Sequence, residues 1–227
     1  VFSFLITWFW IVGVTNAINL IDGLDGLAAG VVSIALLSML VVSILQQQYA
    51  MIPLTIILIG STLGFLPYNF HPANIFMGDT GAMFLGYVIS VISTAGLLKS
   101  VTLFSLIVPI LILAVPIFDT FFAILRRLLN NQDISSPDKS HLHHRLISKG
   151  FGHRTSVLII YSISIFFGLI AILFTTIPLK GAFVILIAIS IFIQLTAEMI
   201  ELIGHQRQPI LHTFRKIIKK TRRLANL

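Results

Sequence analysis

N-A-I-N-L-I-D-G-L-D-G, residues 16–26, separates two apolar runs that are each long enough to cross a bilayer. It carries two carboxylates three residues apart, Asp22 and Asp25, which on a helical turn would share one face. Gly23 and Gly26 beside them permit a left-handed turn or a close backbone approach. Asn16, Asn19, Asp22 and Asp25 step by three and make one polar stripe on a helix that ends at the membrane surface. Turn formation alone accounts for the Asn, Asp and Gly residues. It does not account for four regularly spaced polar groups beside lipid, where acids either bind something or face water.

The surrounding composition fits that reading. The 227 residues are 57% hydrophobic and 10% charged, with a mean hydropathy of +1.01. Soluble domains carry about 25% charged residues, so the chain is a polytopic membrane protein. Without cysteine there is no disulfide framework and no thiol chemistry. The net charge of +7 reads as orientation in the membrane, not as a nucleic-acid partner.

Seven continuous apolar runs, near residues 1–18, 27–46, 51–68, 82–98, 103–125, 156–176 and 180–200, predict an all-α integral membrane bundle of about seven transmembrane helices. Alternating spans place the polar segments 16–26, 69–81 and 126–155 and the tail on one side. Thirteen of the fifteen Lys and Arg lie there, and only Lys99 and Lys180 lie opposite. By the positive-inside rule that side is cytoplasmic. All eight acids lie on it or at span ends facing it, which points to a binding or reaction centre. The chain divides into a transmembrane domain, 1–204, and a basic amphipathic cytoplasmic tail, 205–227, suited to an anionic inner leaflet.

Three further constellations face the same side. N-F-H-P-A-N-I-F-M-G-D-T-G, residues 69–81, holds Asp79 at the start of a span, where it is either a helix cap or a ligand for a hard cation. Phe76 there is an interfacial aromatic or a platform for a flat ring. P-I-F-D-T, residues 116–120, buries Asp119 about 10 Å inside the end of a span, where it needs a partner or a water-filled cavity. Pro116 frees a carbonyl and kinks that helix. The longest loop supplies Arg126, Arg127, Lys139 and Arg145 and clusters His141, His143 and His144. The spacing is not that of a zinc motif, and cations with imidazoles suit a diphosphate better. Carboxylates for a metal, cations for phosphate and an aromatic for a ring point to transfer of a phosphorylated group at the membrane surface.

These motifs, in this order, together with R-R and S-P-D-K-S-H-L-H-H-R-L, resemble the polyprenyl-phosphate sugar-1-phosphate transferases from residue 16 to about residue 152. The resemblance implies transfer of N-acetylhexosamine-1-phosphate from a UDP-sugar to a polyprenyl phosphate, with release of UMP and with Mg²⁺, or Mn²⁺ in its place. It implies that Asp79 binds the metal. Asn19, Asp22 and Asp25 would line the nucleotide pocket, with Phe76 stacked on uracil. His141, His143 and His144 would contact phosphates or sugar, and Asp22, Asp25, Asp79 and Asp119 would be catalytic with them. Asn74, Arg126, Arg127, Lys139 and Arg145 would bind substrate.

P-I-F-D-T and H-L-H-H-R-L favour the branch using UDP-N-acetylglucosamine and undecaprenyl phosphate, which starts teichoic acid, O-antigen or common-antigen synthesis. The competing branch uses UDP-N-acetylmuramoyl-pentapeptide. The resemblance implies a bacterial plasma-membrane enzyme with its active site in the cytoplasm, and leaves room for a homodimer. It also implies an adjacent Asp-Asp pair in an earlier loop. These residues contain none, and the chain begins at Val1 inside an apolar run, so further sequence is expected upstream. The reaction is either direct displacement or passage through a covalent intermediate. An ion-coupled transporter, the rival of another class, would spread its acids through the membrane depth.

Overall fold

The computed structural model describes residues 2–97, 103–133 and 140–199. Lys139 and the 205–227 tail lie outside the described residues. Among those described there is no strand, and every apolar run is helical. The helices are α1 (Phe2–Ile21), α2 (Leu27–Leu45), α3 (Ile52–Asn69), α4 (Gly78–Ile92), α5 (Leu103–Ile112), α6 (Ala114–Leu129), a short α7 (Leu142–Ser148), α8 (His153–Thr176) and α9 (Leu179–Met199). A π-helical turn, Ser93–Leu97, extends α4. Among the described residues four helices have the length and hydropathy of a full span, or five if α5 and α6 count as one. The protein is a multi-pass membrane helix bundle.

α2 is the central helix. It packs against α3 and α8, and its sequence explains why. Ala28, Ala29, Gly30, Ser33, Ala35 and Ser38 are all buried on it, and small side chains let neighbouring backbones approach where lipid supplies no hydrophobic drive. Ser33 and Ser38 return their hydroxyls to carbonyls one turn back, which satisfies both. α1 packs on α4 and turns Phe4, Leu5, Trp8 and Phe9 outward, as a lipid-facing helix does. The indole N–H of Trp10 donates to Ser93 Oγ at 2.9 Å, fixing α1 to the π-turn.

The fifth run departs from a straight span. α5 and α6 meet at 89°. Pro116 has no N–H, and its ring excludes the carbonyl of Ile112, so the helix cannot continue through Leu113. The kink expected from Pro116 therefore falls three residues before it. The first segment also differs. α1 continues to Ile21 because nothing in residues 16–20 stops it, so Asn16 and Asn19 are helical and the loop proper is 22–26.

Candidate active site

The turn after α1 is fixed from two directions. Gly26 has φ +80°, a conformation that favours glycine, and opens α2. Its N–H donates to Asn69 Oδ1 at 3.1 Å, and Asn69 Nδ2 donates to the Ile75 carbonyl at 3.0 Å. The Tyr161 hydroxyl of α8 donates to the Gly26 carbonyl. Buried Asn69 thus joins the first loop to the second. Asn69→Ala leaves the Gly26 N–H without this acceptor and is expected to lower stability by about 1–3 kcal/mol. Thermal unfolding in detergent measures it.

This turn separates the two acids that a helix would have kept together. Burial, reinforced by the nearby carboxylates of Asp79 and Asp25, pushes Asp22 up to about 6. Asp25 turns to the second loop instead. Its Oδ2 accepts from His71 Nδ1 at 2.8 Å and from the Ala73 N–H at 3.2 Å. Burial opposes its charge, but these bonds and the imidazoles of His71 and His153 outweigh burial and hold the carboxyl below its usual range. Asp79 lies exposed in the first turn of α4, which has no side-chain cap hydrogen bond. Asp22 and Asp79 are close enough to oppose each other's charge. The Oδ1 of Asn19 is buried without a hydrogen-bond partner among the described residues. Oxygen donors with surplus negative charge are the donor set a hard divalent cation takes, so these residues fit such an ion.

The histidine loop is anchored by Asp119, which is 4% exposed on α6. Its Oδ1 accepts from the Leu142 N–H at 2.8 Å, and its Oδ2 lies 2.9 Å from His141 Nδ1. The partners of the buried acid are therefore an imidazole and a helix-start amide. His143 is buried beside the first loop, with Nε2 unpartnered among the described residues. Burial, aided by His144 and opposed by Asp119, holds it down at about 4, so it is neutral at physiological pH. A Cβ on Gly23 would stand 2.7 Å from His143 Cε1 and closer still to Nε2. Gly23→Ala is expected to displace His143 and to reduce activity about tenfold or more, because small misplacements at a reacting centre have large effects. Comparing turnover at equal amounts of inserted protein checks this.

The described parts of segments 16–26, 69–81 and 126–155 thus meet through these contacts. His144 is exposed, Arg145 and Arg127 are half-buried, and Arg126 is buried. Phe76 is 75% exposed, and Asn74 is exposed with its N–H bonded to the Tyr68 carbonyl. Phe76, Met77 and Gly81 lie at the loop end of an apolar groove of about 620 Å³ between α3 and α4. The sequence reading did not single out His71, His153, Arg154, Asn69 or Tyr161. The available signal was His153 and Arg154 opening a span on the same side as the acids.

The sequence model of glycosyl transferase family 4 matches residues 1–97. A probable undecaprenyl-phosphate N-acetylglucosaminyl 1-phosphate transferase of Bacillus subtilis is 51% identical over 96% of this chain and 61% of its own length. A decaprenyl-phosphate N-acetylglucosaminephosphotransferase of Mycobacterium leprae is 41% identical over 70% of this chain and 45% of its own. A phospho-N-acetylmuramoyl-pentapeptide-transferase of Rubrobacter xylanophilus is 54% identical, but over only 36% of this chain and 25% of its own. The chain thus spans about three fifths of the Bacillus relative and less of the others. By these matches the chain is similar to glycosyl transferase family 4 over residues 1–97 and to N-acetylglucosaminyl 1-phosphate transferases over most of its length.

Proposed function

We propose that the protein transfers N-acetylglucosamine-1-phosphate from UDP-N-acetylglucosamine to undecaprenyl phosphate at the cytoplasmic face of a bacterial plasma membrane. An oxygen of the lipid phosphate forms a bond to the β-phosphorus of the donor, and the bond from that phosphorus to the UMP oxygen breaks. The products are a lipid diphosphate sugar and UMP, the opening step of an envelope polysaccharide or teichoic acid. The observation that carries the reading is the convergence of three distant loops, which sets Asp22 against Asp79 and His143 against Gly23. The N-acetylglucosamine donor is preferred to the muramoyl-pentapeptide because similarity to the former group of relatives runs across most of the chain.

Asp22 and Asp79, with Asn19, would hold Mg²⁺, which when bound neutralises charge on the donor diphosphate. Exposed Phe76 is free to stack on uracil, with Asn74 beside it. His141, His143, His144, Arg126, Arg127, Lys139 and Arg145 supply donors and positive charge for the phosphates and sugar. A transporter fits less well, since Asp22, Asp25 and Asp79 lie in one cluster. Asp119 is bonded back to the histidine loop.

Feeding membranes that carry the whole protein with either labelled UDP-sugar tests donor choice. Labelled lipid from UDP-N-acetylglucosamine alone is expected, whereas product from the muramoyl-pentapeptide donor alone would reverse the assignment.

The cation leaves a second, activity-independent trace. A folded pKa raised to about 6 means that Asp22 favours folding while protonated. That contribution is whole below the ordinary carboxylate value and is lost as pH rises through about 6. Mg²⁺ compensates the charge only once it exists. It is therefore expected to raise the thermal midpoint clearly at about pH 7.5 and little at about pH 5. An equal shift at both would remove Asp22 from the site.

A further inference from the structure

Asp25, His71 and His153 come from the first loop, the second loop and the start of α8, and their ligand-type atoms all lie within 4.8 Å of one another. A shared metal would need the two imidazole lone pairs to converge. Instead the rings are stacked, centroids 4.1 Å apart and planes 20° apart, so their in-plane lone pairs run side by side. His71 Nδ1 is also already bonded to Asp25 Oδ2. Arg154, next to His153, donates Nε–H to the His71 carbonyl at 2.9 Å, which holds the second loop to α8 from the backbone side. The Oδ1 of Asp25 accepts no hydrogen bond among the described residues, so one oxygen is held and the other is free.

We infer that His71 and His153 are positioning residues that fix Asp25 as the strut between the first loop, the second loop and α8. Through Asp25 they set the placement of Asp22 opposite Asp79. His71 supplies the N–H that orients Oδ2. His153 supplies the flat surface that keeps the His71 ring in that plane. The two acids of D-G-L-D thereby take different parts: Asp22 is left for the ligand, and Asp25 is committed to the frame. This inference rests on the proposed transfer reaction for its rate readout.

The test uses the whole protein with conservative and truncating substitutions. His71→Asn keeps an N–H where Nδ1 stands, and His153→Phe keeps the stacking face. Both are expected to retain turnover within about threefold of wild type, whereas His71→Ala and His153→Ala fall about tenfold to a hundredfold in kcat, with KM for the UDP-sugar little changed. A merely structural role would lower the yield of folded protein and leave kcat per folded molecule intact. Asp25→Ala combined with His71→Ala is expected to be no worse than Asp25→Ala alone. Loss of turnover in Asn and Phe variants as deep as in the alanines would overturn the inference in favour of metal or proton chemistry at the imidazoles. If the wild type itself transfers nothing, the reaction is wrong but the strut is still read from thermal midpoints, where Asn and Phe variants are expected near wild type and both alanines below it. Midpoints equal across all four variants would overturn the strut.

Discussion

Asp79→Asn is expected to abolish Mg²⁺-dependent transfer while leaving the protein inserted and folded. Asp79 is exposed, accepts no hydrogen bond among the described residues, and opposes the charge on half-buried Asp22. A residue in the first turn of a helix also interacts with the helix dipole, and losing that alone is worth about 0.3–1 kcal/mol at an exposed site. A neutral amide is a far weaker ligand for a hard cation. Removing even the supporting partner of a metal ligand costs about tenfold to a hundredfold, so loss of the ligand itself should exceed a hundredfold. Because the substitution also relieves repulsion within the acid cluster, the thermal midpoint without cation should hold or rise. Near-normal turnover at ordinary Mg²⁺ would leave Asp79 with its helix-end role only.

Asp119→Ala should act through the frame. The acid is buried, and it holds both the Leu142 N–H and the His141 ring at the start of α7. Its loss leaves two buried donors without their acceptor, each at about 1–3 kcal/mol. α7 carries His143, which packs against Gly23 only while α7 is held. Stability and turnover should fall together, and accelerated proteolysis within 140–150 would report the freed loop. Unchanged cleavage there, with full turnover, would show that α7 is held by its apolar contacts alone.

Some of this was legible before any coordinates. Asp22, Asp79 and Asp119 stand out because an acid in or beside lipid needs a reason. Alternating spans placed their loops on one side. The π-turn at Ser93–Leu97 carried no comparable signal in the sequence. The partners were not legible. Asp119 has Arg126 and Arg127 nearby in sequence, yet its contact is with His141, which only the fold brings to it. The i, i+3 rule placed Asp22 and Asp25 on one helical face, but α1 ends at Ile21, and in the turn that follows Asp25 bonds to His71. The bend before α6 was announced by Pro116. Its position was not, because the steric conflict of a proline acts on the carbonyl four residues earlier. His153 looked like one more positive-side residue, since only the fold brings it over His71.

The most direct test of the central claim follows one phosphorus atom. Membranes carrying the whole protein receive undecaprenyl phosphate, Mg²⁺ and UDP-N-acetylglucosamine labelled with ³²P at the β-position. The account predicts that the label enters the lipid fraction and that unlabelled UMP is released in equal amount, with both lost in Asp79→Asn. Label recovered as UDP, with sugar but no phosphorus in the lipid, would show cleavage on the sugar side of the β-phosphate and contradict it.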